Sequence, residues 1–354
     1  MSDSDALATL ESGPRAVVWR AGGWSGRIPL RYVGVTAGLT FTALLLSVIA
    51  LGLGEIEVSA VDVLRTLFGT TNPTFEMVVT EWRLPRVLLA LLFGAGLGIS
   101  GAIFQSLTRN PLGSPDVIGF DYGAYNGAVI TILLAGSTAY VVPGALVGGL
   151  ATAFAVYLLA YRRGVQGFRL IVVGIAVTTM LGSLASYLIL KADLYLAQMA
   201  AIWGAGSLNG TDWADVRVVL LVYAILMLPL ACTARSLLPL EMGDDAALAL
   251  GIRVERVRAV LIVVGVGLSA VVAAVAGPIA FIALSAPQLV RRLTGSSGVQ
   301  LAASAAMGAT LLSACDLIAL HAFPAILPVG LITVVLGGAY LVWLLVAQSR
   351  KDVR

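Results

Sequence analysis

The chain has 354 residues, 59% of them hydrophobic and 12% charged, with a mean hydropathy of +0.97. A soluble domain carries about 25% charged residues, so the composition excludes an ordinary globular protein. The formal net charge of +3 gives no basis for nucleic-acid binding, and Cys232 and Cys315 lie inside apolar runs, where they read as small core residues rather than a disulfide.

Residues 1–30 are polar and lack an apolar core, so they are expected to form an uncleaved cytoplasmic tail. Apolar runs then recur, each near the length of about 20 residues that crosses a bilayer. Ten spans can be placed: Tyr32–Leu53, Val87–Leu107, Val117–Leu134, Val141–Tyr161, Leu170–Leu190, Val216–Cys232, Ala259–Ala276, Ile279–Val290, Leu301–Leu320 and Leu327–Val346. The expected fold class is an all-α polytopic membrane protein, one domain over residues 31–348 with a short tail at 349–354. The eighth span is short and bracketed by Pro278 and Pro287, so it is expected to be broken. Between spans, Gly54–Trp82 has room for an amphipathic surface helix around Val58–Phe68, and Lys191–Asp215 for a short interfacial helix. Arg86 leading into Phe93-Gly-Ala-Gly-Leu-Gly and Arg258 leading into Val264-Gly-Val-Gly-Leu-Ser suggest an inverted repeat.

Basic residues set the orientation. With the N-terminus cytoplasmic, 17 of the 22 Lys and Arg residues fall on the inner side and 5 on the outer side. That is the positive-inside bias, and it places both termini in the cytoplasm.

No phosphate-binding Gly-x4-Gly-Lys-Ser/Thr loop surrounds either lysine, Lys191 or Lys351, and no nucleophile elbow or metal-ligand cluster is present. An enzyme is therefore not expected: catalytic residues, metal ligands and a cofactor of the chain itself are all read as absent. Asp316, Asp121 and Gln105 fall within spans. An ion relay would need paired carboxylates, so these are read as helix-end or interhelical hydrogen bonds. His321 is read as an interfacial residue. Arg83 and Arg86, three apart at the outer rim, either anchor the interface or meet acidic groups of an external partner. Residues 105–119 hold two prolines and several polar side chains, forming either a tight turn or irregular backbone facing a pathway.

The segment Leu240–Arg258 stands apart. It places Glu241, Asp244, Asp245, Arg253, Glu255, Arg256 and Arg258 between long apolar runs, so it must lie in water. Asp244–Leu250 reads as a short helix with acids at its start and Gly251 as its stop. It is a handle for another protein to grip.

Trp82-Arg-Leu-Pro-Arg86, Gly101-Ala-Ile-Phe-Gln105, Asn110-Pro-Leu-Gly-Ser-Pro-Asp-Val-Ile-Gly119, Gly243-Asp-Asp-Ala-Ala-Leu-Ala-Leu-Gly251, Gly277–Pro287 and Leu327-Pro-Val-Gly330 together resemble the FecCD-type, BtuC-like permeases. These are the membrane subunits of type II ATP-binding-cassette importers for iron-siderophore complexes, haem and cobalamin. The resemblance implies ten helices, a second permease subunit, two ATPase subunits that bind the ATP and magnesium, and an extracytoplasmic binding protein. It implies that Asp244, Asp245, Ala246, Ala247, Leu248, Gly251 and Arg253 couple to the ATPase, and that Arg83 and Arg86 dock the binding protein. Asn110 and Leu112, with Gln166, Gly167 and Phe168, match the inner gate. The chain departs from the family at Gln288, Leu320, Ile326 and the Gln166 segment. The missing outer arginine implies a heterodimer of two different permeases. Ferric-siderophore import is the leading expectation. Cobalamin or haem import by the same machinery, or an ion-driven secondary transporter, are the alternatives.

Overall fold

In the computed structural model, the described residues are 16–21, 24–69, 73–116, 119–138, 140–161, 167–296 and 298–352. A two-stranded antiparallel hairpin, β1 (Ala16–Ala21) and β2 (Trp24–Pro29), precedes the helices with Ala16 opposite Pro29. Nothing in the hydropathy of the tail signalled it. The chain passes directly into α1 (Leu30–Gly52). The surface helix α2 (Ala60–Leu67) follows, capped where Ser59 Oγ accepts from the Asp62 N–H at 3.1 Å.

A turn at Pro73–Glu76 and a π-helical stretch, Met77–Arg83, run without a break into α3 (Leu84–Thr108). Next come α4 (Phe120–Ala135), α5 (Val141–Ala160), α6 (Gly167–Lys191) and the short α7 (Leu194–Gly204). The helix α8 (Trp213–Thr233) leads through one 3-10 turn into α9 (Leu237–Met242) and the handle helix α10 (Asp244–Ala249). The last four are α11 (Val254–Ala276), α12 (Ile282–Thr294), α13 (Leu301–His321) and α14 (Val329–Asp352).

Among the described residues, seven helical segments are long and apolar enough to cross a membrane. The remaining expected spans are α4 with 16 residues, α12 with 13 and α14 with 24, which is apolar over the stretch Val329–Trp343 and beyond it through Val346 in sequence. At 1.5 Å per residue α12 is about 20 Å long, short of a hydrocarbon core of about 30 Å. The residues before it, Gly277–Ala280, are not helical. The broken eighth span is therefore a helix about two-thirds of the length needed to cross.

The core is built around α3, whose most apolar stretch is 72% buried, as is that of α11. Glycine explains how close the neighbours come. A Cβ at Gly94 would overlap the Gly308 backbone of α13, and one at Gly98 would overlap the Ser304 carbonyl. Small residues at such contacts let two backbones approach, which gives the close packing that helps helices associate in lipid. Gly94 facing Gly308 and Gly98 facing Ser304 make α3 and α13 antiparallel. On another side Ser100 Oγ of α3 donates to the Gly265 carbonyl of α11 at 2.7 Å. The second glycine-rich stretch suspected as a repeat thus lies against α3 just beyond the first, at Ser100, Ile103 and Phe104.

The outer helices are apolar but uncovered, as Phe41 and Leu44 on α1 and Met180 and Leu190 on α6 show. Cys315 is buried, but Cys232 is exposed on α8, so only one of the two thiols is a core residue as expected; both are free.

Candidate coupling segment and membrane cavity

The handle is held by charge. The Asp244 carboxylate at the start of α10 receives Arg258 from α11 at 2.8 Å and also pairs with Arg109, the residue that ends α3. Arg109 Nε donates to the Leu240 carbonyl at 3.0 Å as well, so one side chain ties α3 to both short helices of the segment. Arg258 is only 7% exposed and also reaches Glu255 at 3.3 Å. Partial burial works to raise the Asp244 pKa, but Arg258 and then Arg109 outweigh it and hold the carboxyl below its ordinary value. Glu241 on α9 pairs with Arg291 on α12 at 2.9 Å.

These ties leave one face of the handle free. Ala247 is fully buried and Ala246 partly so, which fixes the inward face of α10. Leu248, Leu250 and Met242 are exposed, along with Asp245 and Arg253. Gly251 ends the turn at φ +77°, a conformation that disfavours any Cβ. A hollow of about 410 Å³ lies between Leu248, Arg253, Val254, Glu255 and Arg256.

The turn after α3 starts at Arg109, which adopts the left-handed conformation at φ 50°. Asn110 Oδ1 accepts from the Leu112 N–H at 2.9 Å, closing an Asx turn that leaves Leu112 exposed. Gln288 of α12 donates to the Pro111 carbonyl at 3.0 Å and to Gln105 Oε1 at 2.8 Å, while Gln105 donates to the Leu284 carbonyl at 2.9 Å. Asn110 and Leu112 therefore share one turn. Gly167 opens a separate helix, α6, with Phe168 exposed beside it, and Gln166 lies outside the described residues.

The far end of the turn reaches a cavity of about 510 Å³ whose lining includes Asp116, Asp121, Tyr122, Tyr125, Phe281 and Val334. Asp116 Oδ2 accepts from the Phe281 N–H at 3.2 Å, capping the N-terminus of α12. Tyr125 stacks on Trp203 of α7 with ring centres 6.3 Å apart. Near Ala205 and Gly330 of that lining, three glycine-containing segments meet: Ser207 N–H donates to the Ala276 carbonyl at 2.6 Å, and Gly330 N–H to the Gly206 carbonyl at 3.0 Å. A Cβ at Gly330 would overlap the Ala205 carbonyl, and one at Gly277 the Trp203 carbonyl.

At the other end of α3 the two rim arginines each have internal partners. Arg83 donates to the carbonyls of Leu51 and Ile56, each at 2.8 Å, and so closes the C-terminus of α1. Arg86 grips Asp316 of α13 at 2.7 Å and also reaches Asn209. Asp316 is therefore paired with a cation on a neighbouring helix, in line with an interhelical role. Among the described residues no group of three or more His, Cys, Asp or Glu side chains could hold a metal.

Reading the sequence for the site missed Arg109, Asp116 and Gln288. Arg109 registered only as a cytoplasmic charge, Asp116 only as a member of a motif and Gln288 only as a departure from the family. Their partners are more than 100 residues away, at Asp244, Phe281 and Gln105, where no local spacing points.

Known proteins match this arrangement closely. The sequence model of the FecCD transport family matches residues 42–347. The ferric enterobactin transport system permease protein FepG of Escherichia coli (strain K12) is 48% identical over 300 residues, covering 84% of this chain and 91% of that protein. The iron(3+)-hydroxamate import system permease protein FhuG of Bacillus subtilis (strain 168) is 37% identical over 312 residues, covering 85% and 93%. A solved structure described as an inward-facing conformation of a metal-chelate type ABC transporter superposes with a TM-score of 0.79 at 27% identity, over 90% of this chain and 100% of that one. Short α12, glycine-packed α3 and the tethered handle thus sit in a multi-pass permease subunit of an ABC importer, and the chain belongs to the FecCD transport family.

Proposed function

We propose that this chain is the membrane permease of an importer for ferric-siderophore complexes, driven by ATP hydrolysed on a separate ATPase subunit. The observation that carries the reading is the handle. Leu248 and Leu250 are exposed on a helix whose opposite face is buried at Ala247 and whose start is held by Arg109 and Arg258. An apolar knob on a rigid mount can transmit a push, whereas a slack loop cannot. The ATPase groove receives Leu248 and its neighbours, with Asp245 and Arg253 at the polar rim.

The handle and both termini face the cytoplasm, which the excess of basic residues on that side supports. The cargo assignment is supported by FepG and FhuG, whose names specify ferric enterobactin and iron(3+)-hydroxamate. A second, different permease completes the pathway, and an extracytoplasmic binding protein delivers the chelate to the outer rim near Arg83 and Arg86. Asn110, Leu112 and the Gln166–Phe168 segment form the inner gate.

The test is reconstitution in vesicles with the ATPase, the second permease and the binding protein. Ferric enterobactin is taken up, cobalamin is not, and omission of the second permease abolishes uptake. Leu248→Glu lowers uptake about tenfold or more, equivalent to about 1.4 kcal/mol of lost docking, with insertion unchanged. Cobalamin uptake in place of ferric enterobactin would overturn the cargo, activity without the second permease would overturn the heterodimer, and full uptake by Leu248→Glu would overturn the coupling assignment.

A further inference from the structure

The turn between α3 and α4 is fastened at three points, one on the handle and two on α12. At its start Arg109 grips Asp244 and the Leu240 carbonyl of the handle. In its middle the Pro111 carbonyl accepts from Gln288 at 3.0 Å. At its end Asp116 holds the Phe281 N–H at 3.2 Å. Phe281 itself is strained. Its φ of +70° with ψ of −23° is a conformation that a bulky side chain rarely adopts, and it persists only where the surroundings hold it. The Phe281 side chain meanwhile sits where a Cβ on Gly337 of α14 would stand. Phe281 and Asp116 both line the 510 Å³ cavity.

We propose that residues 109–116 are a strut that transmits movement of the coupling handle to the strained hinge at Phe281, with Arg109 and Asp116 as its positioning residues. A shift of α10 pulls Arg109 through its ion pair and its bond to Leu240. The Asx turn and the Gln288 bond keep the segment from absorbing that shift, so it arrives at Asp116. Release of the Phe281 N–H then lets the backbone leave its positive φ, and the ring leaves Gly337 at the cavity wall. The physical warrant is a continuous chain of side-chain bonds ending on a residue held at a strained positive φ. The inference rests on the handle being the ATPase contact.

The experiment uses the full transporter in vesicles, with ferric enterobactin as cargo, and reads cargo transported per ATP hydrolysed. Co-purification of the ATPase is measured alongside. Arg109→Gln and Asp116→Ala each lower the ratio about fivefold or more, and the combined variant is no worse than the weaker single one, because both cut the same strut. Asp116→Asn keeps the wild-type ratio, since its amide oxygen still accepts from the Phe281 N–H. Should Asp116→Ala fail to accumulate, Phe281→Gly removes the strain and the ring with the cap intact, and shows the same loss. A wild-type ratio in Arg109→Gln, Asp116→Ala or Phe281→Gly overturns the strut, as do losses that multiply in the combined variant or an Asn variant as impaired as Ala. Failure of the wild-type chain to bind the ATPase would instead overturn the coupling reading beneath it.

Discussion

Helix α3 is bracketed by arginine at both ends, and the two brackets are built to opposite specifications. At the rim, Arg86 meets Asp316, a carboxylate only 4% exposed, and no second guanidinium shares it among the described residues. At the handle, Arg109 meets Asp244, which is 47% exposed and shared with Arg258. A buried pair is costly to break, because the surviving charge has no water to return to. A half-exposed carboxylate shared by two arginines is cheaper to lose. The rim bracket therefore fastens α3 to α13, and the handle bracket is where α3 can be moved.

The largest effect should come from the rim. Asp316→Ala strands Arg86 and is expected to cost about 3–5 kcal/mol, read as a large drop in thermal stability of the purified protein. The double variant Arg86→Met with Asp316→Leu should recover most of that, because it removes both charges together. If Asp316→Ala were as stable as wild type, the contrast between the two ends would disappear. Next in size is Gln105→Leu, which leaves the buried Leu284 carbonyl and the Gln288 amide each short of a partner. It should cost about 1–3 kcal/mol, and a loss as large as that of Asp316→Ala would show that the rim bracket has no special status.

How much of this was legible in the sequence follows the same division. Span positions were readable because lipid demands long apolar runs, and Gly251 betrayed the end of the handle because a positive φ suits glycine. The short eighth span announced itself through Pro278 and Pro287, and its helix does begin only at Ile282. The partners of Arg86 and Asp116 were not readable, since they join residues 230 and 165 positions apart by tertiary packing alone. For the same reason nothing in the sequence showed that Arg83 and Arg86 each have partners within the chain. Hydropathy records what faces lipid, and it is silent on which buried charge meets which.

Smaller effects belong to the handle. Gly251→Val forces a β-branched side chain into φ +77° and should cost about 1–2 kcal/mol locally, loosening α10 and lowering uptake more than global stability. A variant that unfolded the whole chain would make the handle as rigid a fixture as the rim. Smallest of all is Asp244→Asn, worth about 1 kcal/mol, because the carboxylate is half-exposed and the buried Arg258 keeps Glu255 as a partner. Its pH dependence has a definite sign. Arg258 and Arg109 hold the folded carboxyl below its usual 3.8, so the clamp contributes in full above that value and is lost as pH falls through the lower, folded one. The stability difference between wild type and Asp244→Asn should therefore be flat from about pH 5 to 8 and shrink only in more acidic solution. A difference that instead grew on acidification would mean that the carboxyl is protonated in the fold, and the handle bracket would then be a neutral hydrogen bond rather than a charge that Arg109 and Arg258 share.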